Sequence, residues 1–203
     1  MGARTSTVAV ILAAGAGTRF HGPVHKLAAE IDGVPVLDRA VRAALDAGIG
    51  PVVVVAGNHH PELPTLRDAL ADGRITVVEN PRWADGQSTS LQAAIDAARR
   101  HHAHAVVVGL GDQPFVEPAT WRAVAASRWP IAVARYAEGP RNPVRLHHST
   151  WPLLPQSGDH GARHLVRVRG DLVEQIPCGG SPADIDTPED LQSWQNKSST
   201  NSR

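Results

Sequence analysis

Residues 8–26, VAVILAAGAGTRFHGPVHK, form an apolar run that breaks into a glycine-rich loop carrying Arg19 and then Lys26. Glycines let backbone amides approach phosphate oxygens closely, so a strand followed by such a loop indicates a phosphate site. Lys26 and Lys197 are the only lysines among 20 basic residues. An ammonium can donate to phosphate oxygens in several directions, whereas a guanidinium prefers a bidentate fork. Arg19 and Lys26 together therefore suggest a polyphosphate, against the alternative of a solvated loop with a chance lysine.

The rest of the chain alternates apolar, β-branched runs with helical patterns. The runs predict strands at 8–12, 52–56, 75–78, 105–109, 131–134, 144–146 and 172–176. The helical patterns lie at 36–47, 63–71, 90–100, 118–126, 162–168 and 188–194. Nearly continuous apolar strands, each followed by a helix, are typical of a parallel sheet covered on both faces. We therefore expect one doubly wound α/β domain over 1–195, with a mostly parallel sheet and a Rossmann-like nucleotide-binding half, and a flexible polar tail over 196–203.

Composition excludes several classes of partner. Twenty acidic residues balance twenty basic ones, so no general field attracts nucleic acid or an anionic membrane. No apolar run approaches the length of a membrane span. Cys178 is the only cysteine, which fits a reducing cytoplasm.

Asp112 follows the predicted strand at 105–109, within the segment GLGDQP at 109–114. In an open α/β sheet, ligands bind beyond the carboxyl ends of the strands. A carboxylate there suits Mg²⁺, which keeps several waters and binds phosphates. The alternative is a turn aspartate that hydrogen-bonds its own backbone.

Two further loops carry polar groups. Residues 80–91, NPRWADGQSTSL, lead into a helix whose first amides and hydroxyls can meet a base edge or phosphate, although Ser88 or Ser90 can instead cap that helix. In residues 184–191, DIDTPEDL, Thr187 is placed to cap the last helix. Asp186 is then free to be a second metal ligand, and Asp184 can hold the loop.

These segments together resemble a known family. LAAGAGTR at 12–19 with Lys26 resembles the LAAGxGxR…K signature of the MobA-like nucleotidyltransferases, and GDQP at 111–114 resembles their metal motif. NPRWADGQSTSL, GDHGAR at 158–163 and DIDTPEDL are similar to segments of the molybdenum cofactor cytidylyltransferases. A dinucleotide-binding fingerprint fails because Phe20 stands at its third glycine. The Arg19–Lys26 connection is longer than the family's.

The resemblance implies a nucleotide-diphospho-sugar transferase-like fold and a role for each matched residue. Arg19, Lys26 and Asp112 would be catalytic, and Asp112 and Asp186 would hold Mg²⁺ or Mn²⁺. The implied nucleotide-binding residues are Leu12, Ala13, Ala14, Gly15, Ala16, Gly17, Thr18, Gln87, Ser88 and Ser90. The acceptor would meet Asn142, Arg145, Asp159 and His160.

The implied reaction transfers CMP from CTP to molybdopterin with release of pyrophosphate, for delivery to a molybdoenzyme. A guanylyltransferase and an enzyme with another phosphate acceptor stay open. A non-catalytic carrier of the pterin cofactor is the rival from another class.

Eleven histidines raise the question of a metal site. His101, His102 and His104 lie at a helix-to-strand connection away from the carboxyl ends of the strands, where a solvated helix end is favoured over zinc. His160 and His164 flank the GDHGAR segment and are the only histidines that we single out.

Overall fold

Seven strands form one sheet in the order β5-β4-β1-β6-β8-β7-β9 in the computed structural model, which describes residues 6–22 and 24–200. The strands are β1 (Thr7–Ala13), β2 (Glu30–Ile31), β3 (Val34–Pro35), β4 (Val52–Ala56), β5 (Ile75–Glu79), β6 (Ala105–Leu110), β7 (Ile131–Tyr136), β8 (Gly139–His147) and β9 (Val173–Pro177). The helices are α1 (Val36–Ala47), α2 (Arg67–Ala71), α3 (Gln87–Arg100), α4 (Pro118–Ala125), α5 (Gly161–Val168) and α6 (Pro188–Thr200).

The sheet is mostly parallel, as predicted. β1 lies between β4 and β6 and is parallel to both. β8 runs antiparallel to β6 and β7, and β9 is parallel to β7. Only two residues join β7 to β8, and a connection that short requires antiparallel strands. The sequence pattern predicted only 144–146 of β8 because its first residues, GPRNP, are not apolar.

Alternate residues of the central strands feed two apolar cores. Ala9, Ile11, Val52 and Val54 pack with α1 and α4 on one face. Val8, Val10, Val53 and Val55 pack with α3 and α5 on the other. Full burial of one such valine contributes about 1.5–3 kcal/mol. The doubly wound arrangement therefore follows from strands that are apolar on both faces.

Proline and glycine mark the two ends of α1. Pro35 precedes its first residue. Gly48 ends it with φ 64° and donates its N–H to the Leu45 carbonyl. A left-handed residue after a helix favours glycine because a Cβ is strained there.

Three local elements differ from the prediction. The helix expected over 63–71 divides into a 3₁₀ turn, Pro64–Leu66, and α2, because Leu66, with φ −125° and ψ 18°, is not in a helical conformation. α3 begins three residues before the predicted residue 90. The hairpin β2–β3 was not predicted, although its Asp32-Gly33 turn, with φ 52° and 74°, has a common hairpin sequence.

α6 ends at Thr200 and so extends into residues 196–200, which the sequence analysis assigned to a polar tail. Two contacts fix the middle of this helix. The Trp194 ring stacks on Phe115 with centroids 3.8 Å apart, and Gln195 Nε2 donates to the Glu30 carbonyl at 3.0 Å. Polar residues can thus continue a helix that is anchored by tertiary contacts. Residues 201–203 lie outside the described part.

Across residues 6–22 and 24–200, no helix has both the length and the apolar character needed to span a membrane.

Candidate active site

Four charged side chains converge at the carboxyl ends of the central strands. Lys26 Nζ lies 2.6 Å from Asp112 Oδ2 and 2.9 Å from Asp186 Oδ1. Arg19 Nη2 lies 2.8 Å from Asp186 Oδ2. The cation-bearing loop after β1 and the carboxylate after β6 therefore face each other across one crevice. Pro23, on the connection between Arg19 and Lys26, lies outside the described residues.

Lys26 is the enclosed member of this cluster. Its side chain is 11% exposed, whereas that of Arg19 is 76% exposed. Burial alone would lower the pKa of Lys26, but the attraction of Asp112 and then of Asp186 outweighs it, so the pKa is raised. The ammonium is thus charged at neutral pH, and its charge is less screened than that of Arg19.

Backbone hydrogen bonds fix the position of Asp112. Gly111 N–H donates to the Leu12 carbonyl at 2.9 Å, which ties the end of β6 to the end of β1. Ile185 N–H donates to the Asp112 carbonyl at 2.9 Å. The DIDTPEDL segment is therefore held against the GDQP loop.

A capping box fixes the position of Asp186. The Thr187 hydroxyl accepts from Asp190 N–H at 3.2 Å, and Asp190 Oδ2 accepts from the N–H groups of Thr187 and Asp186 at 2.9 and 3.1 Å. Thr187 therefore caps α6, as predicted. These bonds also lower the pKa of Asp190, against burial, which would raise it.

Asp184 holds the loop rather than joining the charge cluster. Gln113 Nε2 donates to Asp184 Oδ1 at 2.8 Å and to the Pro182 carbonyl at 3.1 Å. Burial, and then the nearby Asp112 charge, raise the pKa of Asp184. This arrangement matches the loop-holding role expected for Asp184.

The largest part of the crevice is a cleft of about 330 Å³ beside the first loop. This volume lies in the range of small-molecule sites. Its lining includes many of the predicted nucleotide-binding residues: Leu12, Ala13, Ala14, Gly15, Ala16, Gln87 and Ser90. Lys26 and Asp112 lie on its wall. Gly17, Thr18 and Arg19 instead line an adjoining recess of about 180 Å³ that shares Gly15 and Lys26 with the cleft.

Ser88 does not line either space. It is fully buried, and its hydroxyl accepts from Gly161 N–H at 3.3 Å. Its own N–H donates to the Gly158 carbonyl at 2.9 Å, so this amide of the α3 N-terminus is used within the protein. Ser88 therefore ties α3 to the GDHGAR segment. Neither Ser88 nor Ser90 caps α3, since Gly86 occupies the cap position without a side-chain bond.

A second cleft of about 100 Å³ adjoins the first, and Leu12, Gln87 and Leu110 border both. Asn142, predicted to meet the acceptor, lies on its wall with Arg141 and Arg163. Much of the remaining lining is aliphatic: Leu91, Val108, Val133, Val144, Ala162 and Val166.

Arg145 is not at this second cleft, contrary to the prediction. Successive residues of a strand point to opposite faces, so Arg145 lies on the other face of β8 from Val144, which lines the cleft. Arg145 is 8% exposed, and its Nη1 donates to the Trp129 carbonyl, next to the start of β7, at 2.6 Å. Burial lowers its pKa.

Of the other two predicted acceptor residues, Asp159 lines the first cleft and His160 does not. Asp159 lines that cleft together with Gly86. His160 lies beside His164, with ring centroids 5.6 Å apart, but neither ring belongs to the lining of either cleft. In the described chain, no three His, Cys, Asp or Glu side chains group closely enough to hold a metal by themselves.

The charge cluster nevertheless fits a divalent ion that takes its other ligands from phosphate and water. Asp112 Oδ1 is buried and has no hydrogen-bond partner among the described residues. Asp186 contributes a second carboxylate next to it, as the shared contact with Lys26 requires. Oxygen ligands of this kind suit Mg²⁺ or Mn²⁺.

Sequence reasoning missed Trp83 and Leu27 as lining residues of the first cleft. Trp83 lies within the segment 80–91 that was singled out for its polar groups, and an aromatic residue among polar ones there was an available signal. Leu27 follows Lys26 directly and carried no comparable signal.

Comparison with known proteins gives concordant matches. The sequence model of the MobA-like NTP transferase domain matches residues 9–175. The bifunctional protein GlmU of Caulobacter vibrioides is 36% identical over 107 residues, which cover 53% of this chain and 22% of that protein. The chain spans about a quarter of the length of the curated relatives it matches.

Solved structures match over nearly the whole chain. Rv0371c from Mycobacterium tuberculosis H37Rv is similar with a TM-score of 0.78 and 28% identity, covering 96% of this chain and 100% of that one. A structure of Rv0371C in complex with manganese has a TM-score of 0.70 and 26% identity, covering 95% and 99%.

Proposed function

The chain belongs to the MobA-like NTP transferase family, and from that membership we propose that it transfers CMP from CTP to the phosphate of molybdopterin and releases pyrophosphate. The observation that carries this proposal is the contact of Lys26 with both Asp112 and Asp186 beside the glycine-rich loop. A pure carrier of the cofactor has no need of such a cluster.

The reaction needs positioning and charge neutralisation more than a proton transfer. An oxygen of the acceptor phosphate attacks the α-phosphorus of the triphosphate. The bond from that phosphorus to the oxygen bridging the α- and β-phosphorus atoms breaks as pyrophosphate leaves. A phosphate monoester, with a second pKa of about 6, is already largely ionised at neutral pH, so no catalytic base is required.

Each charged residue then has a distinct task. Lys26, on the wall of the first cleft, neutralises the α-phosphate. Arg19, in the adjoining recess, holds the β- and γ-phosphates that leave as pyrophosphate. Backbone amides of residues 14–17 support the phosphates. Asp112 and Asp186 would hold Mg²⁺, or Mn²⁺ as in the similar structure with manganese. The ion would supply neutralisation of charge on the phosphate oxygens.

The second cleft combines aliphatic side chains with the polar Gln87, Gln113, Asn142 and Asp184, and this mixture supports a heterocyclic acceptor that bears hydrogen-bonding groups. A flat ring system can pack on the aliphatic side chains while Arg141 and Arg163 meet its anionic groups.

Release of pyrophosphate tests the proposal. Purified protein is incubated with molybdopterin, Mg²⁺ and each of the four nucleoside triphosphates in turn. We expect release with CTP, dependent on the acceptor. Release with GTP instead identifies a guanylyltransferase, and binding of the pterin without release of pyrophosphate with any nucleotide identifies a carrier.

We place the reaction in the reducing cytoplasm, since the lone Cys178 is free.

A further inference from the structure

His25 lies against the first loop, on the connection that is longer than the family pattern. Its ring faces the backbone of Gly15 and Ala16, and its Nε2 lies 3.1 Å from the position that a Cβ on Gly17 would occupy. Nε2 is buried, and no described residue accepts a well-formed hydrogen bond from it. The histidine is therefore packed into the concave side of the turn at 15–17.

The other ring nitrogen defines the protonation state. Leu27 N–H donates to His25 Nδ1 at 3.3 Å, so Nδ1 must be unprotonated. The neutral ring then carries its proton on Nε2, directed at the turn. One imidazole thus contacts the turn on one side and the residue after Lys26 on the other.

His59 supports the ring from outside the loop. The two imidazoles stack with centroids 4.7 Å apart and an interplanar angle of 14°. His59 belongs to the loop that follows β4, so the stack connects the phosphate turn to a second strand end. The ring of His25 is held between two loops.

We propose that His25 is a positioning residue for nucleotide binding, whose ring holds the turn at 15–17 and, through Leu27 N–H, the Lys26 ammonium in the arrangement that accepts a triphosphate. The identity of the ligand, a nucleoside triphosphate, rests on the proposed function, whereas the positioning role rests on the contacts of the His25 ring. A loop that is ordered before binding loses less conformational entropy when the ligand arrives.

The ring must be neutral for this role. Burial, then His59 and Lys26, lower the pKa of His25, while the backbone of Gly15 and Ala16, which the ring faces, opposes them. His59 and Lys26 are the titratable groups that bear on the ring. Protonation would place a hydrogen on Nδ1, opposite the Leu27 N–H, and a second positive charge beside Lys26. The positioning contact is consequently lost at acid pH.

Calorimetric titration with CTP and Mg²⁺ between pH 5.5 and 8 tests the proposal on wild type, His25→Ala, His25→Asn and His60→Ala. Losing one hydrogen bond and its preorganisation predicts about fivefold to tenfold weaker binding for His25→Ala at pH 8. The His25→Asn variant retains an acceptor for Leu27 N–H and should recover part of this loss. The ratio of wild-type to His25→Ala affinity should shrink toward pH 5.5. Titration of the triphosphate is common to both proteins and cancels in that ratio.

Hydrogen exchange of the Leu27 amide in nucleotide-free protein supplies a second readout. It should be faster in His25→Ala than in wild type or in His60→Ala, which alters an exposed histidine. Equal affinities at every pH, or unchanged Leu27 exchange, overturns the proposal. A wild type that binds none of the four triphosphates contradicts the proposed function instead, and Leu27 exchange still decides whether His25 holds the loop.

Discussion

At the scale of single residues, both carboxylate oxygens of Asp112 have a role in the proposed site. One of its oxygens contacts Lys26 at 2.6 Å, and the other is buried with no partner among the described residues. An Asp112→Ala variant removes both the proposed metal ligand and the counter-charge of Lys26. We expect pyrophosphate release to fall by about three orders of magnitude or more. A continuous pyrophosphate assay measures this, with circular dichroism to verify folding, and retained turnover would contradict the metal assignment.

Arg145 offers the opposite prediction, because the structure places it away from both clefts. Its Nη1 donates to the Trp129 carbonyl, and its Nε is buried without a partner among the described residues. Replacing a buried charge by an apolar side chain of similar length is often neutral or stabilising. Arg145→Met should leave the KM for the acceptor unchanged, whereas Arg141→Met, at the second cleft, should raise it. Steady-state kinetics on both variants separates them; a raised KM in Arg145→Met would restore the sequence-based assignment.

At the scale of elements, the capping box of α6 connects stability to the site. The mutual hydrogen bonds of Thr187 and Asp190 hold the DIDTPEDL segment in a fixed geometry. Asp190 also accepts a hydrogen bond from the Asp186 N–H. Thr187→Ala removes a helix cap and should cost about 1 kcal/mol of unfolding free energy. Urea unfolding measures the loss. Mn²⁺ affinity in the presence of CTP should fall as well, and an unchanged affinity would separate the cap from the metal site.

How far the sequence predicts each element depends on the kind of signal it carries. Valine-rich strands with helices between them predicted the parallel sheet, and Pro35 and Gly48 stand at the two ends of α1. β8 was predicted only in part, because pairing with β6 and β7, and not apolar alternation, makes its first residues a strand. Local pattern carries no information on such long-range pairing.

The candidate site was predictable to a similar extent. The family resemblance implied that Lys26, Asp112 and Asp186 act together, and the structure brings them into contact. The errors concern orientation: Ser88 and Arg145 occupy the expected elements but point into the protein. A strand residue shifted by one position faces the other side of the sheet, and a helix N-terminus can be satisfied by its own protein.

At the scale of the whole molecule, partly buried histidines make stability depend on pH. Burial, then His148, Arg145 and His104, lower the pKa of His147, and burial lowers that of His25. A lowered histidine pKa contributes stability that is present above about pH 6.5 and is lost as pH falls through the folded-state value. We expect the unfolding free energy to decrease from about pH 7.5 to about pH 5.

His147→Asn tests this dependence. Asparagine keeps an acceptor for Ser149 N–H, to which His147 Nδ1 now bonds, but cannot be protonated. The pH-dependent loss should therefore shrink in this variant. Urea unfolding at several pH values provides the measurement. An identical slope in His147→Asn would exclude this residue as a source.

The reversed strand β8 divides the molecule's two recognition tasks along the chain. The charge-bearing loop, Asp112 and most of the first cleft come from residues before 116, whereas Arg141, Asn142 and Arg163 follow the turn into β8, as does Asp186. Mutations at Arg141, Asn142 or Arg163 can therefore alter the choice of acceptor while Lys26, Asp112 and Asp186 stay in place. Duplicated copies of such a gene are free to diverge toward new acceptors without reinventing the chemistry.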